Sequence, residues 1–269
     1  MFDEIIACLD GSSRAETILP LARWLSETAE KNLALLRVVE DIEELASEEE
    51  ALHATARQYA AELRFRIAAD PVAAILTELQ RHPSAIAALT THGRTAFAET
   101  LLGSVALRVI REANRPVIIC RSLEPEKSAP KKIRDIVLAL DGGPFSEQMI
   151  TYAAKAALTL SARLTLVQAL PIQSNLPLSS SRLASDILES AYLQRKVADL
   201  KTHGIDAQWE VLHGAPAEAI CRYLHGSCET MLAMTTHARS GLQRAIFGSI
   251  AAACVRHAGV PLLLYWPHS

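Results

Sequence analysis

The chain has 269 residues, of which 50% are hydrophobic and 21% are charged, and its formal net charge is -3. This composition supports a packed core for one large or two ordinary domains, and the acidic balance argues against a nucleic-acid partner. The amino terminus, MFDEIIACLDGSS, is acidic where a secretory signal is basic, and no apolar run reaches the ~18 residues of a membrane span. We therefore expect a cytoplasmic protein with no membrane partner.

The chain repeats itself. Asp10 and Asp141 are the next-to-last residues of the similar runs IIACLDG and IVLALDG, which set the spacing between the copies. Pro71 and Pro216 lie farther apart than the two aspartates, so the first copy has a deletion in the intervening region. The charged, proline-containing stretch LEPEKSAPKK suits an exposed connection between the copies. The predicted domains are 1–121 and 133–269, with a linker at 122–132.

Each copy alternates short apolar runs with longer helical patterns. In the first copy, 44–63 is predicted as the second helix and LRFRIA as the strand after it. In the second copy, the predicted strands are IVLALD, RLTLVQAL, AQWEVL, TMLAMT and VPLLLYW, with helices over 147–160, 184–203, 216–225 and from 248. Cys221 and Cys228 are expected on one face of the third of these helices, packed in the core. The pattern predicts an α/β fold of two tandem doubly wound five-stranded parallel sheets, related by a pseudo-two-fold axis. The closing strands, at 117–120 and 262–265, are expected to pair antiparallel.

Two kinds of residue are expected at the carboxyl ends of the strands. Asp10 and Asp141 end the first strand of each copy, as turn residues or as ligands for a bound molecule. The Gly-Ser pairs at 103–104 and 248–249 stand at predicted helix starts, where a glycine lets an anion approach free N–H groups. A helix cap is the alternative explanation for each pair. Because the same set occurs in both copies, we favour a phosphate-binding site.

The order of these features resembles the universal stress protein family over nearly the whole chain. The residues that carry the resemblance are the strand-ending aspartate, the Gly-Ala-Pro element at 214–216, the turn THGR at 91–94, the Gly-Ser pair that follows it and the closing strand RPVII. The resemblance implies a fold like that of the adenine nucleotide alpha-hydrolases and binding of ATP or a related adenine nucleotide. By position it implies that Asp10, Gly93, Gly103 and Ser104 form one nucleotide site.

A second, weaker site would contain Asp141, Gly248 and Ser249. The first glycine of the family motif is replaced by Thr90 and Thr235, and the second copy also has Ala238 in place of the second glycine. The first site is therefore predicted to bind more tightly, although the deletion in the first copy would open its pocket on the nucleoside side.

The leading interpretation is a stress-response regulator that binds nucleotide, has no catalytic residues and forms an internal pseudo-dimer. Its protein partners are unknown, and a homodimer is a further option. The alternatives are a nucleotide-free scaffold that docks a partner through the acidic run DIEELASEEE, and a slow ATP-hydrolysing enzyme. No metal ligands are expected from the protein, so any Mg²⁺ would be held by phosphates, a serine hydroxyl and water.

Overall fold

The computed structural model describes residues 2–91, 102–121, 132–170, 181–236 and 247–267. The chain divides into two units: Met1–Lys132 with Pro261–His268, and Ile133–Val260. The predicted linker falls almost entirely outside the described residues, as do Gly93 and Ala238. The pseudo-two-fold relation between the copies stays a prediction.

The first unit alternates strands and helices as the sequence predicts. Its strand order is β3-β2-β1-β4-β5, and all these strands are parallel. The elements are β1 (Glu4–Leu9), α1 (Ser13–Glu16), α2 (Leu19–Ala29), β2 (Asn32–Val39), α3 (Ile42–Gln58), β3 (Glu62–Ile67), α4 (Pro71–Arg81), β4 (Ala85–Thr90), α5 (Ser104–Glu112) and β5 (Val117–Cys120).

The second unit follows the same plan. Its strand order is β9-β6-β7-β8, again parallel between β6 and each of its neighbours and between β7 and β8. The elements are β6 (Asp135–Leu140), α6 (Pro144–Leu160), β7 (Arg163–Leu170), α7 (Ser181–Thr202), β8 (Ala207–His213), α8 (Pro216–Leu224), β9 (Thr230–Thr235) and α9 (Ser249–His257). No helix in the described ranges is both long and apolar enough to cross a membrane.

The central strands are buried because helices cover both faces of each sheet. β1, β4 and β9 have buried residues at every position, which is why these strands are almost continuously apolar in sequence. In each unit the second and third strands of the copy lie on one side of the first strand, and the fourth strand lies on its other side. The carboxyl ends of the neighbouring first and fourth strands therefore frame a crevice where a ligand can bind.

The last strand, β10 (Leu262–Tyr265), belongs to the first unit. It pairs antiparallel with β5, with Leu262 opposite Ile119 and Leu264 opposite Val117. The predicted pairing of the two closing strands is confirmed. Both strands are fully buried, so each covers the apolar edge that the other would expose.

The predicted end of the second helix is wrong. α3 ends at Gln58 rather than at 63, because Ala60 takes a left-handed conformation with φ 46° and the N–H of Ala61 bonds the carbonyl of Ala56 at 2.9 Å. This ending satisfies carbonyls of the last helical turn and leaves Glu62 free to begin β3. The sequence contains no glycine here to indicate the turn.

The placement of Cys228 is also wrong. α8 ends at Leu224, and Gly226, with φ 80°, turns the chain before β9 begins. Cys228 therefore lies beyond the helix and is exposed, whereas Cys221 is half-buried on it.

Candidate functional site

Asp10 directly follows β1 at the carboxyl edge of the sheet. Its Oδ1 accepts hydrogen bonds from the backbone N–H of Ser12 at 3.0 Å and from the Ser12 hydroxyl at 2.6 Å. Ser12 in turn caps α1 by accepting from the N–H of Ala15 at 3.2 Å. Asp10 thus orders the turn into α1, and it also lines a cavity beside β4. The two interpretations of this residue are compatible.

Asp141 occupies the same position after β6. Its Oδ1 accepts from the N–H of Gly143 at 2.8 Å and from the hydroxyl of Ser146 at 2.6 Å. The structure therefore places a carboxylate held by a turn at the carboxyl edge of both units. Asp141 likewise lines a cavity in its own unit.

The start of α5 has no side-chain cap. Gly103 is the N-cap residue. The Gly103 N–H donates to the carbonyl of Thr91 at 2.6 Å, which fixes the helix start beside the end of β4. Ser104 is the first helical residue and is exposed, so its hydroxyl is not the cap. The first backbone N–H groups of α5 point out of the helix end, where its dipole favours negative charge.

The start of α9 repeats this arrangement. Gly248 is the N-cap, without a side-chain cap, and its N–H donates to the carbonyl of Thr236 at 2.8 Å. Ser249 is the exposed first residue of the helix. Both glycines are thus N-cap residues, as the helix-cap explanation expects, and no side chain caps either helix.

Each unit brings its aspartate and its helix start to one cavity. The first cavity, of about 260 Å³, includes Asp10, Thr90, Thr91, Gly103 and Ser104 in its lining. The second cavity is larger, at about 410 Å³, and includes the corresponding Asp141, Thr235, Thr236, Gly248 and Ser249. Among the described residues, the first copy has the smaller cavity, and the expectation that the deletion opens its pocket stays a prediction.

An ion cluster that was not predicted lies at the first cavity. Arg37, on β2, has a side chain only 4% exposed and binds Glu48 through its Nε at 2.8 Å and Glu44 through its Nη2 at 2.8 Å. Burial acts to lower the pKa of Arg37, but hydrogen bonds and the charges of Glu48 and Glu44 outweigh it and raise the pKa above its usual value. In the sequence, the sign of this ion cluster is a single charged residue, Arg37, inside the apolar run LALLRVV.

Cys8 also lines the first cavity. Burial, with a smaller contribution from the charge of Glu78, raises the pKa of Cys8 to about 12. A thiol with this pKa is protonated at neutral pH and is a poor nucleophile. In the described part of the chain, no group of three or more histidine, cysteine, aspartate or glutamate side chains is arranged to hold a metal ion.

Comparisons with known proteins identify the family of this chain. The model of the universal stress protein family matches residues 1–121 and 132–265. The universal stress protein Slr1230 of Synechocystis is 25% identical over 182 residues, which are 66% of this chain and 56% of that protein. This chain therefore matches little more than half the length of the Synechocystis protein. The universal stress protein MJ0531 of Methanocaldococcus jannaschii is 24% identical over 139 residues, covering 49% of this chain and 81% of that protein.

The fold is found in solved structures as well. A universal stress protein from Archaeoglobus fulgidus superposes with a TM-score of 0.69 at 17% identity and covers 99% of each chain. With two matches of the family model that together span most of its length, the chain belongs to the universal stress protein family and carries two copies of its domain.

Proposed function

We propose that this chain binds an adenine nucleotide, with ATP as the first candidate, in at least one unit and acts as a stress-response regulator rather than an enzyme. The observation that carries the proposal is the paired arrangement in both cavities: a helix start without a side-chain cap lies with a turn-held aspartate on one cavity wall. The helix start offers N–H groups to phosphates, and the aspartate offers a carboxylate to nucleoside hydroxyls.

The roles follow from these positions. In the first unit, Gly103 and Ser104 would receive the phosphates and Asp10 the nucleoside, with Gly93 as a further backbone donor. In the second unit, Gly248 and Ser249 would receive the phosphates and Asp141 the nucleoside. Mg²⁺, if it accompanies the nucleotide, would be held by phosphates, a serine hydroxyl and water.

The scaffold alternative loses support from the contacts of the acidic run. Asp41 caps α3 by accepting from the N–H of Glu44 at 2.8 Å. Glu44 and Glu48 bind Arg37, as described above. Several carboxylates of this run therefore already have partners within the first unit and are less available to dock another protein.

Two matched substitutions test the proposal. Gly103→Asp and Gly248→Asp each place a carboxylate at a proposed phosphate-binding position. Aspartate is a good N-cap residue, so the helix should be retained. We expect calorimetric titration of ATP into the full chain to show binding that is weakened at least ~10-fold by the substitution in the occupied unit, because like charges repel.

The same titration ranks the two units. The glycines of the motif favour the first unit, whereas the larger cavity favours the second. If the parent chain binds no ATP, the proposal is wrong and the scaffold remains. Appearance of ADP during prolonged incubation with the parent chain, abolished by the substitution in the occupied unit, would instead indicate the hydrolytic alternative.

A further inference from the structure

Two cysteines meet where α8 packs against α9. Cys221 lies on α8 and is half-buried, and Cys254 lies on α9 and is fully buried. The two helices are in contact, and the two thiols interact through a hydrogen bond. Neither cysteine is among the described residues that line the second cavity, so neither has a part in the proposed nucleotide site.

The first copy has no sulfur at these two places. Leu76 corresponds to Cys221 and Val109 corresponds to Cys254, with the sequence spacing that also separates the two Gly-Ser pairs. The corresponding helices of the first unit, α4 and α5, are in contact as well. An apolar pair is therefore sufficient to pack these helices, and packing alone does not require two thiols in the second unit.

The two thiols differ in their access to solvent and in how readily they ionise. Burial raises the pKa of Cys221, and the hydrogen bond with Cys254 acts in the opposite direction. Burial, together with the charge of Cys221 and the hydrogen bond to it, raises the pKa of Cys254. Cys221 is therefore the thiol that ionises first and that a small reagent can reach, and Cys254 is placed to react with it afterwards.

We propose that Cys221 and Cys254 form a reversible disulfide on oxidation by a peroxide, and that this bond ties α8 to α9. The Cys221 thiolate attacks one oxygen of hydrogen peroxide, and the O–O bond breaks to give a sulfenic acid and, after protonation, water. The sulfur of Cys254 then attacks the sulfur of Cys221, the S–O bond breaks, and the leaving hydroxide takes the thiol proton of Cys254 to form a second water. The thiols lose two electrons in all, which the peroxide takes up, and a dithiol reductant restores both thiols.

The bond would join two parts of the wall of the second cavity. Ile220, next to Cys221 in sequence, and Ala251, about one helical turn before Cys254, both line this cavity. Closing the loop between the two cysteines also restricts the unfolded chain. Oxidation should therefore hold this wall in place and stabilise the second unit. The inference goes beyond the proposed function and does not depend on nucleotide binding.

Peptide mapping of the full chain tests the inference. The test protein carries Cys228→Ser, which removes the exposed thiol that follows α8. The folded protein is treated with hydrogen peroxide in mildly alkaline buffer, the remaining thiols are blocked with iodoacetamide in urea, and the chain is digested with trypsin without reductant. Cleavage after lysine and arginine places Cys221 and Cys254 in separate peptides, 202–222 and 245–256.

We expect these two peptides to be joined, with the loss of two hydrogen atoms, and to be separated again by dithiothreitol. The intact mass should be that of a single chain. The oxidised protein should have a Tm higher by about 5 °C, and dithiothreitol should reverse this rise.

Matched variants show whether the linkage needs both thiols. Cys221→Ser and Cys254→Val, the second of which introduces the residue of the first copy, should each abolish the linkage and the rise in Tm. Circular dichroism confirms that both variants are folded. The buried thiols of Cys8 and Cys120, in the first unit, should remain available to iodoacetamide in urea and serve as internal controls.

Four results would overturn the inference. The first is recovery of both peptides with blocked thiols after peroxide treatment. The second is a sulfinic acid at Cys221, which would show that Cys254 does not reach the oxidised sulfur. The third is a linkage that joins two chains, or one that forms only when peroxide is added in urea. The fourth is a disulfide that leaves Tm unchanged, which would show that the bond does not constrain the two helices.

Discussion

The two units share one backbone plan but fill corresponding positions with different chemistry. The first unit uses charges: Arg37 is neutralised at the carboxyl edge of its sheet, and Glu78, 1% exposed, lies in a cluster with arginines towards the opposite edge. The second unit uses neutral groups at the same two places, Gln168 and Tyr223. Backbone hydrogen bonds and apolar strands are common to both copies, and the polar side chains differ.

This difference indicates where function can diverge in a repeated fold. Ion clusters in the first unit pair their buried charges, since each buried charge needs a partner, although the Nε of Arg66 has no hydrogen-bond partner within the described residues. The neutral counterparts need fewer partners. The second unit also has the larger cavity. Substitutions at the corresponding positions test this contrast.

The largest effect is expected from Glu78→Leu. Glu78 accepts from Arg66 at 2.5 Å and from Arg64 at 3.3 Å. Its removal takes a buried anion away from these cations and should lower the free energy of unfolding by about 3–5 kcal/mol. Urea denaturation followed by circular dichroism measures the change. Tyr223→Leu, at the corresponding place in the second copy, should cost only about 1 kcal/mol because Tyr223 is partly exposed. Equal costs would contradict the contrast.

A smaller effect is expected from Arg37→Gln, which gives the first unit the residue of the second. Glu44 and Glu48, each about one-fifth exposed, would lose their shared cation, and unfolding should become easier by about 2 kcal/mol. The double variant with Glu48→Gln should recover part of this loss, and a double-mutant cycle gives the coupling. An additive pair of effects would show that the cluster is not cooperative.

Much of the fold could be predicted from sequence, because apolar runs mark buried strands directly. β7 and β9 have the predicted bounds, and the aspartates and Gly-Ser pairs meet in cavities as expected. The end of α3 could not be predicted, since Ala60 adopts a left-handed conformation without a glycine. Arg37 and Gln168 were also missed. Their states depend on partners from other elements, or on the lack of them, and no local pattern reports that.

A pH-dependent effect separates Glu16 from Glu147, which occupy matching positions in the two copies. Burial raises the pKa of Glu16. Burial also acts to raise the pKa of Glu147, but hydrogen bonds from Lys196 and Tyr192 outweigh it and lower that pKa. At pH 7 the ionised Glu16 therefore disfavours the folded state, and the ionised Glu147 favours it.

Glu16→Gln should accordingly stabilise the protein at pH 7 and Glu147→Gln should destabilise it, each by less than about 1 kcal/mol because both residues are partly exposed. Both differences should vanish as the pH falls through the carboxyl range, where the parent residues become protonated. Tm measured from pH 3 to 7 gives the two profiles. Two profiles of the same sign would refute the assignment.

The smallest effect is expected from the contact between α4 and α5. Arg108 bonds Asp70 at 3.2 Å, and both side chains are exposed. The second unit has Ala215 and Ala253 at these places. Arg108→Ala should lower Tm slightly in dilute buffer and not at all in 1 M salt, where charges are screened beyond ~3 Å. A loss that persists in high salt would indicate packing by the arginine stem rather than charge.

The pairing of β5 with β10 bears on how the chain can be divided. Val117, near the end of the first copy, pairs with Leu264, near the end of the second, so the first unit is closed by a segment that is synthesised after the second unit. A fragment ending at residue 132 would retain the first repeat and expose the apolar edge of β5. An exposed strand edge can pair with other chains and cause aggregation. The border between the repeats in sequence is therefore not a place where the folded protein can be cut into two independent halves.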